Sequence, residues 1–240
     1  EVNFFFRFSH IIFYIPCYDS LLNELSSSTR EEILTVIVTS TYKAHPGKAR
    51  LLLSNMKENV ETFGAMGMTC RISRIIFGPD TGSLVFSIFS ENFAGAMGNA
   101  EKLFSSEVWA KIQMRLDDNP SSELVMPPNI FRTVAGEMSA THRVINYRWY
   151  LMKRDRVAEA LEMFSEVKSL CEKVDINPVM IAPVTGEPMS SLVVMYGAKS
   201  LAHAGEALDG MGMGQEMQQI VAKAATLGEL HRAWMTVPAD

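Results

Sequence analysis

The chain has 240 residues, a formal net charge of −5 and a hydrophobic content of 48%. That length leaves room for one large domain or two ordinary ones with adequate cores, and the acidic balance argues against an electrostatic nucleic-acid footprint. Cys17, Cys70 and Cys171 are odd in number, far apart and without zinc spacing, which argues against a disulfide framework and for a reducing, cytoplasmic setting.

The first segment is apolar through Phe4-Phe5-Phe6 and Ile11-Ile12-Phe13-Tyr14-Ile15, but Arg7 and His10 interrupt it and Pro16 stops it. It is too short to span a bilayer and lacks the basic start and cleavage site of a signal peptide. The chain opens on Glu1 rather than Met, so residues 1–33 are expected to be an extension outside the native fold.

From Thr35 to Tyr42 a run of β-branched residues predicts a strand, closed by Pro46-Gly47. Leu52, Leu53, Met56, Val60 and Phe63 then form the stripe of a one-sided helix that ends at Gly64 and Gly67. Two strands, Thr69 to Phe77 and Ser83 to Ser90, flank the turn sequence Gly78-Pro79-Asp80-Thr81-Gly82. Helical spacing returns at Phe93, Ala96, Met97 and Leu103 and at Val108, Trp109, Ile112 and Leu116, and a strand from about Leu124 to Val134 completes the unit.

The same order recurs 108 positions later. Val36 falls on Val144, Tyr42 on Tyr150, Ser83-Leu84-Val85 on Ser191-Leu192-Val193 and Ile112 on Ile220. A strand over 143–151 leads into a helix lined by Val157, Leu161, Phe164 and Cys171. Strands at Asn177 to Ala182 and Met189 to Tyr196, further helix, and a strand from Leu230 to Val237 follow. The punctuation predicts an internal duplication into repeats at 34–138 and 139–240, each ordered strand, helix, strand, strand, helix, strand. That is the ferredoxin-like unit, whose antiparallel sheet carries helices on one face only.

This order, the extra helical turns around Trp109 and the tandem copy resemble the dimeric α+β barrel superfamily in its fused, NIPSNAP-like form. The resemblance spans residues 34 to 238 and implies an α+β fold: two tandem ferredoxin-like repeats whose antiparallel sheets pack face to face as a pseudo-dimeric barrel. It further implies an inter-sheet cavity and self-association, a dimer foremost. It does not imply one chemistry, because the superfamily holds quinol-forming monooxygenases, haem enzymes and members without known activity.

Strand parity nominates the cavity residues. Ile145, Tyr147, Trp149 and Leu151 make the more apolar face and are expected under the helices, leaving Asn146, Arg148 and Tyr150 toward the opposite sheet. Tyr42 is the matching position in the first repeat, with Arg71, Ser73 and Ser87 on the same side. An arginine inside a barrel must be paired, solvated or bound to an anion, so Arg148, Asn146, Tyr150, Tyr42 and Arg71 form the candidate ligand-binding set. A carboxylate at the barrel mouth is the plainer partner for Arg148, and local packing the plainer role for the tyrosines.

Other features read as structural. Gly210-Met211-Gly212-Met213-Gly214 follows a helix and lacks a P-loop lysine, so it is a helix break. His203 is expected on an exposed surface and His142 in a surface loop; the five histidines show no metal-ligand spacing, so neither a metal nor a cofactor is assigned. Three readings remain: a self-associating barrel holding a small apolar or anionic molecule, a cofactor-independent monooxygenase on an aromatic or quinol-like substrate, and a haem-binding enzyme with a histidine ligand. Neither a nucleic acid nor a membrane is expected as a partner.

Overall fold

The computed structural model describes residues 35–186 and 188–239; the extension expected at 1–33 lies outside them. The first half runs β1 (Val36–Ala44), α1 (Ala49–Ala65), β2 (Thr69–Phe77), β3 (Leu84–Ser90), α2 (Phe93–Phe104), α3 (Glu107–Asp118) and β4 (Ser122–Ala135). The second runs β5 (Val144–Met152), α4 (Val157–Glu162), α5 (Phe164–Glu172), β6 (Asn177–Pro183), β7 (Ser191–Ala198), α6 (Leu201–Ala207), α7 (Gln215–Leu227) and β8 (Gly228–Pro238). Elements recur at one offset: 144 − 36, 157 − 49, 177 − 69 and 215 − 107 are each 108.

Local chemistry places the boundaries. The β2–β3 turn carries three residues at positive φ, Gly78 at 95°, Asp80 at 60° and Gly82 at 92°, a path that glycine and aspartate tolerate. Asn92, Ser106 and Ser200 cap α2, α3 and α6 by accepting from the backbone N–H three residues on. The glycine-rich stretch at 210–214 is a helix break, as its composition predicts, built around a π-type turn over Leu208–Gly212.

All strand pairs are antiparallel, and the eight strands close into a barrel in the order β1-β3-β2-β8-β5-β7-β6-β4. Each half supplies four neighbouring strands. Two seams join the halves: β2–β8, where Ile75 opposes Thr236, and β4–β6, where Thr133 opposes Ile181. Closure leaves no strand edge open.

Both faces of the sheet are therefore buried. Inside the barrel, Ile37, Phe131, Ile145, Trp149, Val193 and Met195 share one cluster. Outside the first half-sheet, Leu52, Met56 and Phe63 of α1, with Leu103 and Ile112, pack on Ile72, Leu84 and Phe86. This reverses the expected parity: Ile145, Tyr147 and Trp149 line the barrel interior, while Tyr42 and Tyr150 face the helices. Asn146 and Arg148 share the helix side as well, because they stand directly opposite Tyr196 and Val194, which line the space under the helices. The physical reason is that a closed barrel has two apolar layers, so the more apolar face of a strand need not be the helix face.

Candidate functional site

Three spaces lie between or within the packed layers. One, about 230 Å³, lies between the outer face of the first half-sheet and helices α1–α3. Its walls are mostly apolar, with Phe63 and Phe86 edge to face at 5.8 Å and Phe104 and Trp109 at 5.0 Å. Ser40 and Tyr42 of β1, Asn55 and Asn59 of α1, Arg115 of α3 and Ser121 add polar atoms. Asn55 and Asn59 fall on one helix face by their four-residue spacing.

Arg115 is held from two sides. Its Nη1 donates to Glu58 Oε2 at 2.7 Å and its Nη2 to Asn59 Oδ1 at 2.6 Å. Its Nε is buried and has no hydrogen-bond partner among the described residues. Asn55 Nδ2 reaches Ser121 Oγ only at 3.4 Å. The cavity thus joins an apolar body to a cation fixed at both terminal nitrogens.

The corresponding space in the second half is about 60 Å³. The 108-residue register explains the difference: Met163, Phe164 and Val167 stand where the first half has Asn55, Met56 and Asn59. These side chains remove the polar atoms and narrow the space. Burial pushes the Tyr150 phenol upward, with Arg148 pulling the other way, and burial with neighbouring Tyr150 and Cys171 does the same to Tyr196.

The third space, also about 60 Å³, is the barrel interior. Tyr147 and Trp234 stack across the β5–β8 pair with ring centroids 4.7 Å apart and planes 3° from parallel. The Arg71 guanidinium lies 5.4 Å from the Phe89 ring centroid, and Arg232 lies the same distance from that of Trp234 while pairing with Asp80. Burial pulls Arg71 down from its ordinary range, opposed by Tyr147 and reinforced by Arg143. Burial likewise pushes the Tyr147 phenol up. The Thr236 hydroxyl beside the phenol opposes that shift, while Trp149 Nε1 is buried without a hydrogen-bond partner.

The five nominated residues are not brought together. Tyr42 lines the large cavity, Arg71 the barrel interior, and Asn146, Arg148 and Tyr150 the helix side of the second half-sheet. Sequence reasoning missed Asn55, Asn59 and Arg115. The available signal was Arg115 standing three residues after buried Ile112, where a charge borders the packed stripe. His203, expected exposed, is half-buried: Nδ1 accepts from Lys199 N–H and Nε2 donates to the Val174 carbonyl. His142 is anchored in its loop by Ser139 and the Asp175 carbonyl. None of the three cavities is lined by a described histidine, so these residues do not fit a histidine-ligated haem. Among the described residues no group of three His, Cys, Asp or Glu could hold a metal ion, and no helix is long and apolar enough to cross a membrane.

No protein-family model matches this sequence, and no curated protein matches it. Solved structures do. An anthrone oxidase-like protein superposes with a TM-score of 0.58 at 11% identity, covering 86% of this chain and 92% of its own. A candidate monooxygenase from Fusobacterium nucleatum gives 0.58 at 7% identity, covering 87% and 96%. A candidate chlorite dismutase gives 0.52 at 13% identity, covering 86% and 95%. Likeness at such identities speaks for the fold alone: the chain shares with them an α+β arrangement, here an eight-stranded antiparallel barrel flanked by helices.

Proposed function

We propose that the cavity under α1–α3 binds a small aromatic molecule bearing a phenol- or ketone-type oxygen, and that the chain oxidises it as a cofactor-independent monooxygenase. The observation that carries this is the combination in one 230 Å³ space of aromatic walls with the fixed guanidinium of Arg115 beside Tyr42, Asn55 and Asn59. Such volumes approach the range of small-ligand sites, about 300–1,000 Å³. The names of the neighbours, an anthrone oxidase-like protein and candidate monooxygenases, favour the same class.

The chemistry asks little of the protein. An anthrone-type substrate gives a proton to water to become an electron-rich enolate; dioxygen adds to the carbon that lost the proton, and the peroxide formed takes a proton back and loses water, so one oxygen atom stays in the product as a carbonyl and the other leaves as water. Arg115 stabilises the oxyanion as it forms, and the apolar walls keep water out. In air, the protein is expected to accelerate oxygen uptake with anthrone, and labelled dioxygen should leave one labelled atom in the quinone. Arg115→Lys keeps a charge for Glu58 but removes the Nε–H, and should lower kcat by roughly 100-fold. Absence of both oxygen uptake and ligand-dependent quenching of Trp109 would refute binding and turnover together.

A second reading, ligand binding without turnover, is favoured by one observation: no Asp, Glu, His or Lys lines the cavity. Quenching of Trp109 without oxygen uptake selects it. The exposed Met97, Phe104 and Met114 of α2 and α3 support self-association of the chain as a homodimer, and the widely spaced cysteines fit a reducing cytoplasm.

A further inference from the structure

The barrel interior holds features that the proposed oxidation does not use. Arg71 has no carboxylate partner among the described residues; the cation over Phe89 is its contact. Trp149 is 7% exposed, yet its Nε1 lacks a hydrogen-bond partner, as does the buried Nε of Arg232. Trp149 and Arg232 stand directly opposite each other on β5 and β8, and Thr236 opposes Ile145 and Ile75 around the same interior. Nearby, Thr39 and Ser87 satisfy one another at 3.1 Å, so the barrel does pair polar groups where it encloses them. A half-buried guanidinium without a carboxylate partner and two unpaired buried N–H groups in one barrel cost stability. An anionic oxygen at the Arg71 guanidinium would offset part of that.

The remaining wall narrows the ligand. The Tyr147–Trp234 stack gives the interior a flat aromatic surface, and Ile37, Val85, Phe131 and Ile145 keep most of the lining apolar. A bare inorganic anion would lose its hydration to such walls without replacement. A carboxylate offers two oxygens in the geometry a guanidinium accepts, and an aromatic body suits the rest.

We propose that the barrel interior is a second ligand site, separate from the cavity under α1–α3, which takes a small aromatic carboxylate with its anionic end at Arg71 and its ring against the Tyr147–Trp234 surface.

The chain's three tryptophans make the two sites separable. Trp109 lines the cavity under α1–α3, whereas Trp149 and Trp234 line the barrel interior. In Trp109→Phe, the remaining fluorescence reports the interior alone. Titration of that protein with benzoate is expected to give a saturable change, with neutral benzamide binding at least tenfold more weakly and phosphate at equal ionic strength giving no change. In the same background, Arg71→Gln should weaken benzoate at least tenfold and Arg71→Lys less. Without ligand, Arg71→Gln should melt no lower than its parent, because it removes a half-buried charge that has no carboxylate partner among the described residues, while losing the rise in Tm that benzoate brings. The proposal is overturned by an unchanged signal with benzoate, by equal binding of benzamide, or by benzoate binding that survives Arg71→Gln. The benzamide comparison needs no further variant, so it holds even if Arg71→Gln fails to fold.

Discussion

Cys171 is wholly buried on α5 and Cys70 half-buried on β2. Burial, with Glu172 adding a little, pushes the Cys171 thiol from 9.0 up to about 12, and burial takes Cys70 to about 11. Both stay protonated at neutral pH, and only the thiolate is a nucleophile. In a Cys17→Ser, Cys70→Ser background, Cys171 is expected to resist an aromatic disulfide reagent at pH 8 and to react fully once denaturant is added. Rapid reaction of the native protein would contradict its burial. The linkage has a definite sign: the folded thiols hold protons that unfolded thiols release near pH 9, so stability is full below pH 9 and falls as pH rises toward 11 and 12. Melting temperatures across pH 8 to 11 check that direction. At this scale the sequence exposed residue types but not their surroundings. Arg71 and Tyr42 could be singled out as a charge and a phenol on strands, whereas the value of Arg115 depends on Glu58 and Asn59 holding two of its nitrogens and leaving the third.

Elements were legible because periodicity is local. The predicted helix stripe Leu52, Met56 and Phe63 is the buried side of α1, and the β2–β3 turn adopts the positive φ angles its glycines suggest. Strand facing was not legible, since β6 and β7 are buried along almost their whole length and show no polar alternation. The seams show how the halves are joined. At both, the register shifts near the end of the first-half strand, between Ile75 and Phe77 and between Thr133 and Ala135, and a glycine follows. Gly136 has φ 77°, and a Cβ there would lie 2.5 Å from the Pro178 carbonyl oxygen and 3.0 Å from Phe164 Cζ. Gly136→Ala must therefore strain its own backbone, at about 1–3 kcal/mol, and also push β4 from β6. A loss of Tm by several degrees is expected, and a Tm equal to that of the parent would mean the β4–β6 seam can shift to accept a side chain.

Across the whole molecule, closure of the barrel decides how copies can meet. Pairing through strand edges is exhausted, because β2–β8 and β4–β6 already join the halves within one chain. The proposed self-association of the described residues would therefore run through helices or loops, and α2 and α3 carry exposed apolar side chains: Met97 at 47%, Phe104 at 56% and Met114 at 57%. Burying such residues in a twofold contact is the ordinary route to a homodimer. Native mass spectrometry is expected to show a dimer, and Met114→Glu to shift it toward monomer while leaving the melting transition of the barrel cooperative. A monomer from the unchanged chain would overturn the dimer. A dimer indifferent to Met114→Glu would place the contact on another surface, and the same spectra would carry the added mass of any molecule retained in either cavity.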